Sequence, residues 1–164
     1  MTLSDATRYV VYPTPSATSI PAIANLRPPK RLLISRGMSF GLGFEQQVWQ
    51  LTAVIERYRL QSNGEIALEL YDIPSSMYMN AYLPNPSCLS TKALFRSKIL
   101  AARTMFTNEC PRPTPAWQML GASVTLTGVG FWNPVKTTLG ALGNGAELRP
   151  VTGLAITSGC GHFG

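Results

Sequence analysis

Charge is scarce in this chain. Of its 164 residues, 13% are charged, eight are acidic, and one, His162, is a histidine. A single histidine leaves no nucleophile–base–acid set to build. The stretch "CGHF" places Cys160 near His162, but two ligands are too few for a structural zinc. Cysteine–histidine chemistry on a glycine-rich tail is equally disfavoured. The carboxylates are scattered. Glu65 and Glu69 fall on one side of a strand, where the polar residues of a solvent face are expected. "GALGNG" (140–145) has the glycines of a phosphate-cradling loop. It lacks the Gly-Lys-Ser/Thr ending and a following helix, and its Asn-Gly reads as turn chemistry. These absences argue against an enzyme and point to no metal and no cofactor.

Cysteine is also sparse: Cys88, Cys110 and Cys160. An odd count without a close pair argues against a disulfide framework. Cys88 and Cys110 are nearest in sequence, but an intervening helix would span about 25 Å at 1.5 Å per residue. Bridged Cα atoms must approach within about 7 Å, so free buried thiols are expected. No apolar run reaches the length of a membrane span. The opening "MTLSDATRYVVYPTPS" lacks the apolar core of a signal peptide. The chain therefore reads as cytoplasmic, the alternative being an exported mature form that has lost its leader.

What is plentiful is proline and glycine, 13 and 14 residues, which favours strands and turns over helices. The net charge of +6 is unevenly spread. Residues 1–44 carry Arg8, Arg27, Lys30, Arg31 and Arg36 against Asp5, so most of the surplus lies in this segment. Prolines at 13, 15, 21, 28 and 29 fix extended geometry there. Residues 1–44 read as a proline-rich basic arm. Ile20, Ile23 and Leu26 should hold it against the body, and "LLIS" (32–35) is a candidate edge strand.

Residues 45–157 form the body. "QVWQLTAVIERYRL" (47–60) alternates, with Trp49, Leu51, Ala53 and Ile55 on one face. "SNG" signals a hairpin. "EIALELY" (65–71) turns Ile66, Leu68 and Leu70 inward, and "MYMNAYL" (77–83) turns Met77, Met79, Ala81 and Leu83 inward. The period then changes. Leu94, Lys98, Ala101 and Met105, and likewise Phe95, Ile99, Ala102 and Phe106, recur at helical spacing over about 92–109. Thr91 is a candidate cap, and "CPRPTP" stops the helix. Two more strands follow, joined by a long loop at 133–146, and 158–164 read as a loose tail. The order β-β-β-α-β-β is that of a five-stranded OB-fold barrel, mainly β, in which the last loop flanks the binding cleft.

Five segments carry a resemblance: "EIALEL" (65–70), "YMNAYLPNPSC" (78–88), "AAR" (101–103), "VTLTGVGFWN" (124–133) and "GNGAELRPV" (143–151). Over about 48–156 the chain resembles a group of uncharacterised bacterial OB-fold-like proteins, many exported. Their ends read V-T-V-T-G-V-G-F-F-D and then H-G-Q-T-G-V-A-P-N-G-I-E-L-H-P-V. The resemblance implies the fold, not an activity. Where the group has histidines, this chain has Ala67, Lys136 and Arg149, and Asn133 stands at the loop aspartate. Lysine and arginine are poor metal ligands, and the replacements suit contact with anions.

Nucleic-acid binding would need aromatics on a basic platform. Tyr78 and Tyr82 are expected on the solvent face of the third strand, and Trp132 at the exit of the fourth. Arg57, Arg59, Lys136 and Arg149 could line the same side. The expected function is therefore a non-catalytic OB-fold binding module, with single-stranded nucleic acid as its most specific ligand. The alternative is a structural or protein-binding module whose groove is filled by its own arm or by a partner protein.

Overall fold

A computed structural model of the chain describes residues 11–29, 43–135 and 137–160. The candidate edge strand at 32–35, Lys136 and His162 lie outside the described residues. The fold is mainly β. Its strands are β1 (Tyr12–Ala17), β2 (Gln47–Leu60), β3 (Ile66–Asp72), β4 (Met77–Leu83), β5 (Gln118–Trp132) and β6 (Ala146–Ser158). Its helices are α1 (Ile20–Ala24) and α2 (Arg96–Glu109), with single 3-10 turns at Phe44–Gln46 and Pro86–Cys88. Among the described residues, no helix is long and apolar enough to cross a membrane.

All six strands belong to one sheet in the order β1-β2-β3-β4-β6-β5, and β2 also pairs with β5. The strands therefore ring around. Neighbours are antiparallel except β4 with β6 and β1 with β2. Sequence reading gave five strands. The sixth comes from the arm, where β1 runs parallel to β2 with Ser16 opposite Trp49. Pro13 and Pro15 cannot donate to a ladder, which suits a strand on the sheet's edge. Ser19 caps α1, its Oγ accepting from the Ala22 N–H at 3.2 Å.

The core follows the alternation. Leu51, Ile55, Ile66, Leu68, Leu70, Met79, Ala81, Leu83, Leu126 and Leu148 are all buried. Ile20 and Ile23 of the arm, each 1% exposed, join the same cluster, whereas Leu26 stays at the surface. Of the two helical stripes, the one with Ile99, Ala102 and Phe106 is buried. Phe106 meets Tyr58 edge-on at 5.2 Å. The helix begins later than expected and Thr91 is not its cap. Phe95 precedes it in the left-handed region at φ 60° and makes no side-chain cap.

One sequence expectation is overturned at its far end. Cys110, which caps α2, forms a disulfide with Cys160, and both are buried. Fifty residues separate them, so proximity in sequence was no guide. Only Cys88 is free, and it is exposed. Of the expected tail at 158–164, residues 158–160 are described. β6 stays paired through Ser158, opposite Ser123. Gly159 adopts φ +101°, and a Cβ there would lie 2.7 Å from the Ala122 Cα.

Candidate functional site: the outer face of β2, β3, β4 and β6

A bulge builds this face. The β2–β3 register slips between Ile55 and Arg57. Ile55 and Tyr58 are both interior, so the two residues between them, Glu56 and Arg57, share the outer side. Arg57 then stands opposite Glu69, and Glu69 opposite Asn80, in one row across three strands.

Glu65 and Glu69, expected in solvent, are buried, as are Asn80, Tyr82 and Glu147. β3 and β4 are thus covered on both faces. Gly140 of the β5–β6 loop lies over the row at φ +83°. A Cβ on it would come within 2.8 Å of Glu69 Cγ and 3.0 Å of Asn80 Oδ1. The loop is tied at both ends. Asn133 Nδ2 donates to Glu147 at 3.4 Å. Asn144 Nδ2 donates to the carbonyls of Ile23, Ala24 and Leu26 at 2.9–3.3 Å, satisfying the open end of α1. A two-residue turn could neither lay Gly140 over Glu69 and Asn80 nor carry Asn144 to α1, which accounts for the length of this connection.

The charges under the loop are matched internally. Arg57 Nε lies 3.7 Å from Glu69 Oε1. The Arg149 guanidinium pairs with Glu65 and lies 3.4 Å from Glu147 Oε1. It also stacks 4.4 Å from the centre of the Tyr82 ring, a cation–π geometry. Burial raises the Glu147 carboxyl to about 7, although Arg149 and Asn133 oppose the shift. Burial and a hydrogen bond with Glu56 raise Glu69, while Arg57 pulls the other way. Burial, then the Glu147 charge, raises the Tyr82 phenol. A hydrogen bond to Glu56 is the first cause of the upward shift at Tyr78.

The residues expected to form a nucleic-acid platform are therefore dispersed. Tyr78 is half-buried beside Tyr71, with ring centres 4.8 Å apart. Tyr82 is 2% exposed and Trp132 is 4% exposed. Trp132 packs 4.8 Å from Phe44, beside a hollow of about 380 Å³ that Tyr12, Leu26 and Trp49 also line. Arg59 stacks on Trp117 at 4.9 Å. The structure brings Arg57, Tyr82 and Arg149 onto one face, where Tyr82 is buried and Arg149 largely so, while the Arg57 side chain stays 39% exposed. Sequence reading missed Glu56, Asn80 and Glu147. The one signal for them was polar residues set in the middle of otherwise apolar strands.

Among the described residues, no group of histidine, cysteine, aspartate and glutamate side chains is arranged to hold a metal ion. Comparison of the chain with family models, curated proteins and solved structures returned no match.

Proposed function

We propose that this protein is a non-catalytic, OB-like binding module that engages a protein rather than nucleic acid. The β2-β3-β4-β6-β5 ring of pairings, with β4 and β6 parallel, supports a five-stranded OB-like barrel to which the arm adds an outer strand. In such a barrel the β3–β4 face and the β5–β6 loop would form the ligand cleft.

One observation carries the choice of partner. The arginines on that face, Arg57 and Arg149, are paired with the buried carboxylates of Glu69, Glu65 and Glu147. Phosphate binding depends on unpaired cations that can replace counterions, and stacking needs accessible rings. The pairing of Arg149 and the burial of Tyr82 weigh against both and support the protein-binding reading. The buried Cys110–Cys160 disulfide supports a disulfide-permissive compartment, in line with the exported alternative.

The test is a fluorescence-anisotropy titration of labelled single-stranded DNA and RNA at low and physiological salt. No saturable binding is expected at low salt. Saturable binding that weakens steeply with added salt would restore nucleic acid as the ligand.

A further inference from the structure

We propose that the hollow between α2 and the segment 111–114 is a receptor for a carboxylate borne on a small apolar group, with Arg103 and Arg112 as its cations. The inference rests on the protein-binding reading only for the source of that group, the C-terminal carboxylate of a partner.

The hollow measures about 390 Å³ and is lined by Leu60, Ile66, Arg103, Thr107, Arg112 and Pro113. Leu60 and Ile66 pair where β2 turns into β3. Arg103 and Thr107, four residues apart, share one face of α2. The segment 111–114 is pinned along its length. The Tyr58 hydroxyl donates to the Pro111 carbonyl at 2.9 Å, and Gln118 Nε2 to the Arg112 carbonyl at 3.2 Å. The Leu60 N–H donates to the Thr114 carbonyl at 2.8 Å, and the Thr114 N–H to Gln118 Oε1 at 2.7 Å. Cys110, just before it, is held by the disulfide. The hollow is therefore built before any ligand arrives, as ligand sites usually are.

Positive charge lines this hollow and no carboxylate does. Among the described residues, neither Arg103 nor Arg112 forms an ion pair, whereas Arg57 and Arg149 both do. Burial pulls the Arg103 guanidinium down and Glu65 opposes the shift, but Glu65 is itself engaged by Arg149. A partly buried cation without a counter-charge favours an anion beside it.

Arg103 is also fixed in place. Its Nη1 donates to the carbonyls of Gly64, Leu83 and Pro84 at 2.8–3.2 Å. All three bonds use one nitrogen, and none of its other nitrogens is both buried and unpaired. The remaining N–H groups of the planar fork thus meet solvent, which a ligand can replace. Such a fork matches the two oxygens of a carboxylate. Arg112, exposed, supplies a second cation. Leu60, Ile66 and Pro113 supply apolar surface for a short aliphatic group. No aromatic ring lines the hollow, so it offers a base nothing to stack on.

Isothermal titration calorimetry at pH 7 and low salt tests this. The probes are acetate, hexanoate, hexanamide, the peptide acetyl-Gly-Gly-Leu, its C-terminal amide, and inorganic phosphate. Hexanoate and the free-acid peptide should bind saturably, and the two amides should not. Affinity should rise from acetate to hexanoate by up to about fourfold per methylene. Arg112→Gln should weaken binding by about tenfold or more, since hydrogen bonds to charged groups are strong. That variant should keep the wild-type Tm, because the side chain is exposed and the backbone carbonyl still accepts from Gln118. Lys98→Gln, an equal loss of charge on the same helix, should leave affinity unchanged. A peptide that binds more tightly than hexanoate identifies a partner's C-terminus as the source, whereas equal affinities identify a free acid. Equal binding of the amides, phosphate binding as tightly as hexanoate, or unchanged affinity in Arg112→Gln would each overturn the receptor. So would equal weakening by Lys98→Gln, or absence of saturable binding to wild-type protein. Oligonucleotide binding that hexanoate does not displace would overturn the protein-binding reading and leave the receptor standing.

Discussion

Removing the disulfide should destabilise the fold strongly while leaving the sheet's pairing pattern intact. The Cys110–Cys160 bond closes a loop across 50 residues. In the chain-entropy account a loop of that size stabilises the fold by about 4 kcal/mol. The bond also fixes the end of α2 against the end of β6, where Gly159 packs on Ala122. For a chain of 164 residues, a loss of about 4 kcal/mol corresponds to a fall in Tm of about 8–16 °C. The measurement is urea and thermal unfolding of Cys110→Ala/Cys160→Ala in a Cys88→Ser background, against that background alone. Removing exposed Cys88 prevents exchange between thiols. A loss below about 1 kcal/mol would refute the reasoning, because loop closure alone demands more. Adding reductant to the background protein should reproduce the double variant's Tm.

Three further outcomes are expected. Ile23→Ala should cost about 2–5 kcal/mol, as for other aliphatic truncations in a packed core, since Ile23 joins the arm to the main core; an unchanged Tm would show the arm to be dispensable. Asn144→Ala should lower Tm by removing the donor to three carbonyls at the end of α1, and should speed amide exchange at 20–26. The raised Glu147 carboxyl, at about 7, retains a proton where the unfolded chain has lost it. Its contribution therefore weakens stability as pH rises from the ordinary carboxyl range through about 7, and is constant below that range. Glu147→Gln should flatten the Tm profile between about pH 5 and pH 8, and an identical wild-type slope would count against the assignment.

Much of the scaffold was legible because alternation and the period change at the helix are local signals. β3 and β4 fall where "EIALELY" and "MYMNAYL" place them, and the helix stops at the prolines after Cys110. What was not legible depended on long-range contacts. The bulge at Glu56 is invisible in a run that otherwise alternates, yet it turns Arg57 outward. Glu65 and Glu69 look like solvent-face residues, yet both are buried, Glu69 beneath Gly140 of the β5–β6 loop. Tyr82 was expected to be accessible for the same reason. The Cys110–Cys160 pair lies far apart in sequence and meets only because α2 and β6 end together. The pairing of β1 was hidden by its prolines, which usually argue against a strand.

The face across β3 and β4 is closed by the protein's own loop and charges. Tyrosine modification by N-acetylimidazole, mapped by mass spectrometry on the native protein, tests it most directly. Tyr12, 65% exposed, should react readily, while Tyr82, 2% exposed beneath Arg149, should react only after unfolding. Native Tyr82 reacting as fast as Tyr12 would contradict the account and reopen that face as an accessible binding cleft.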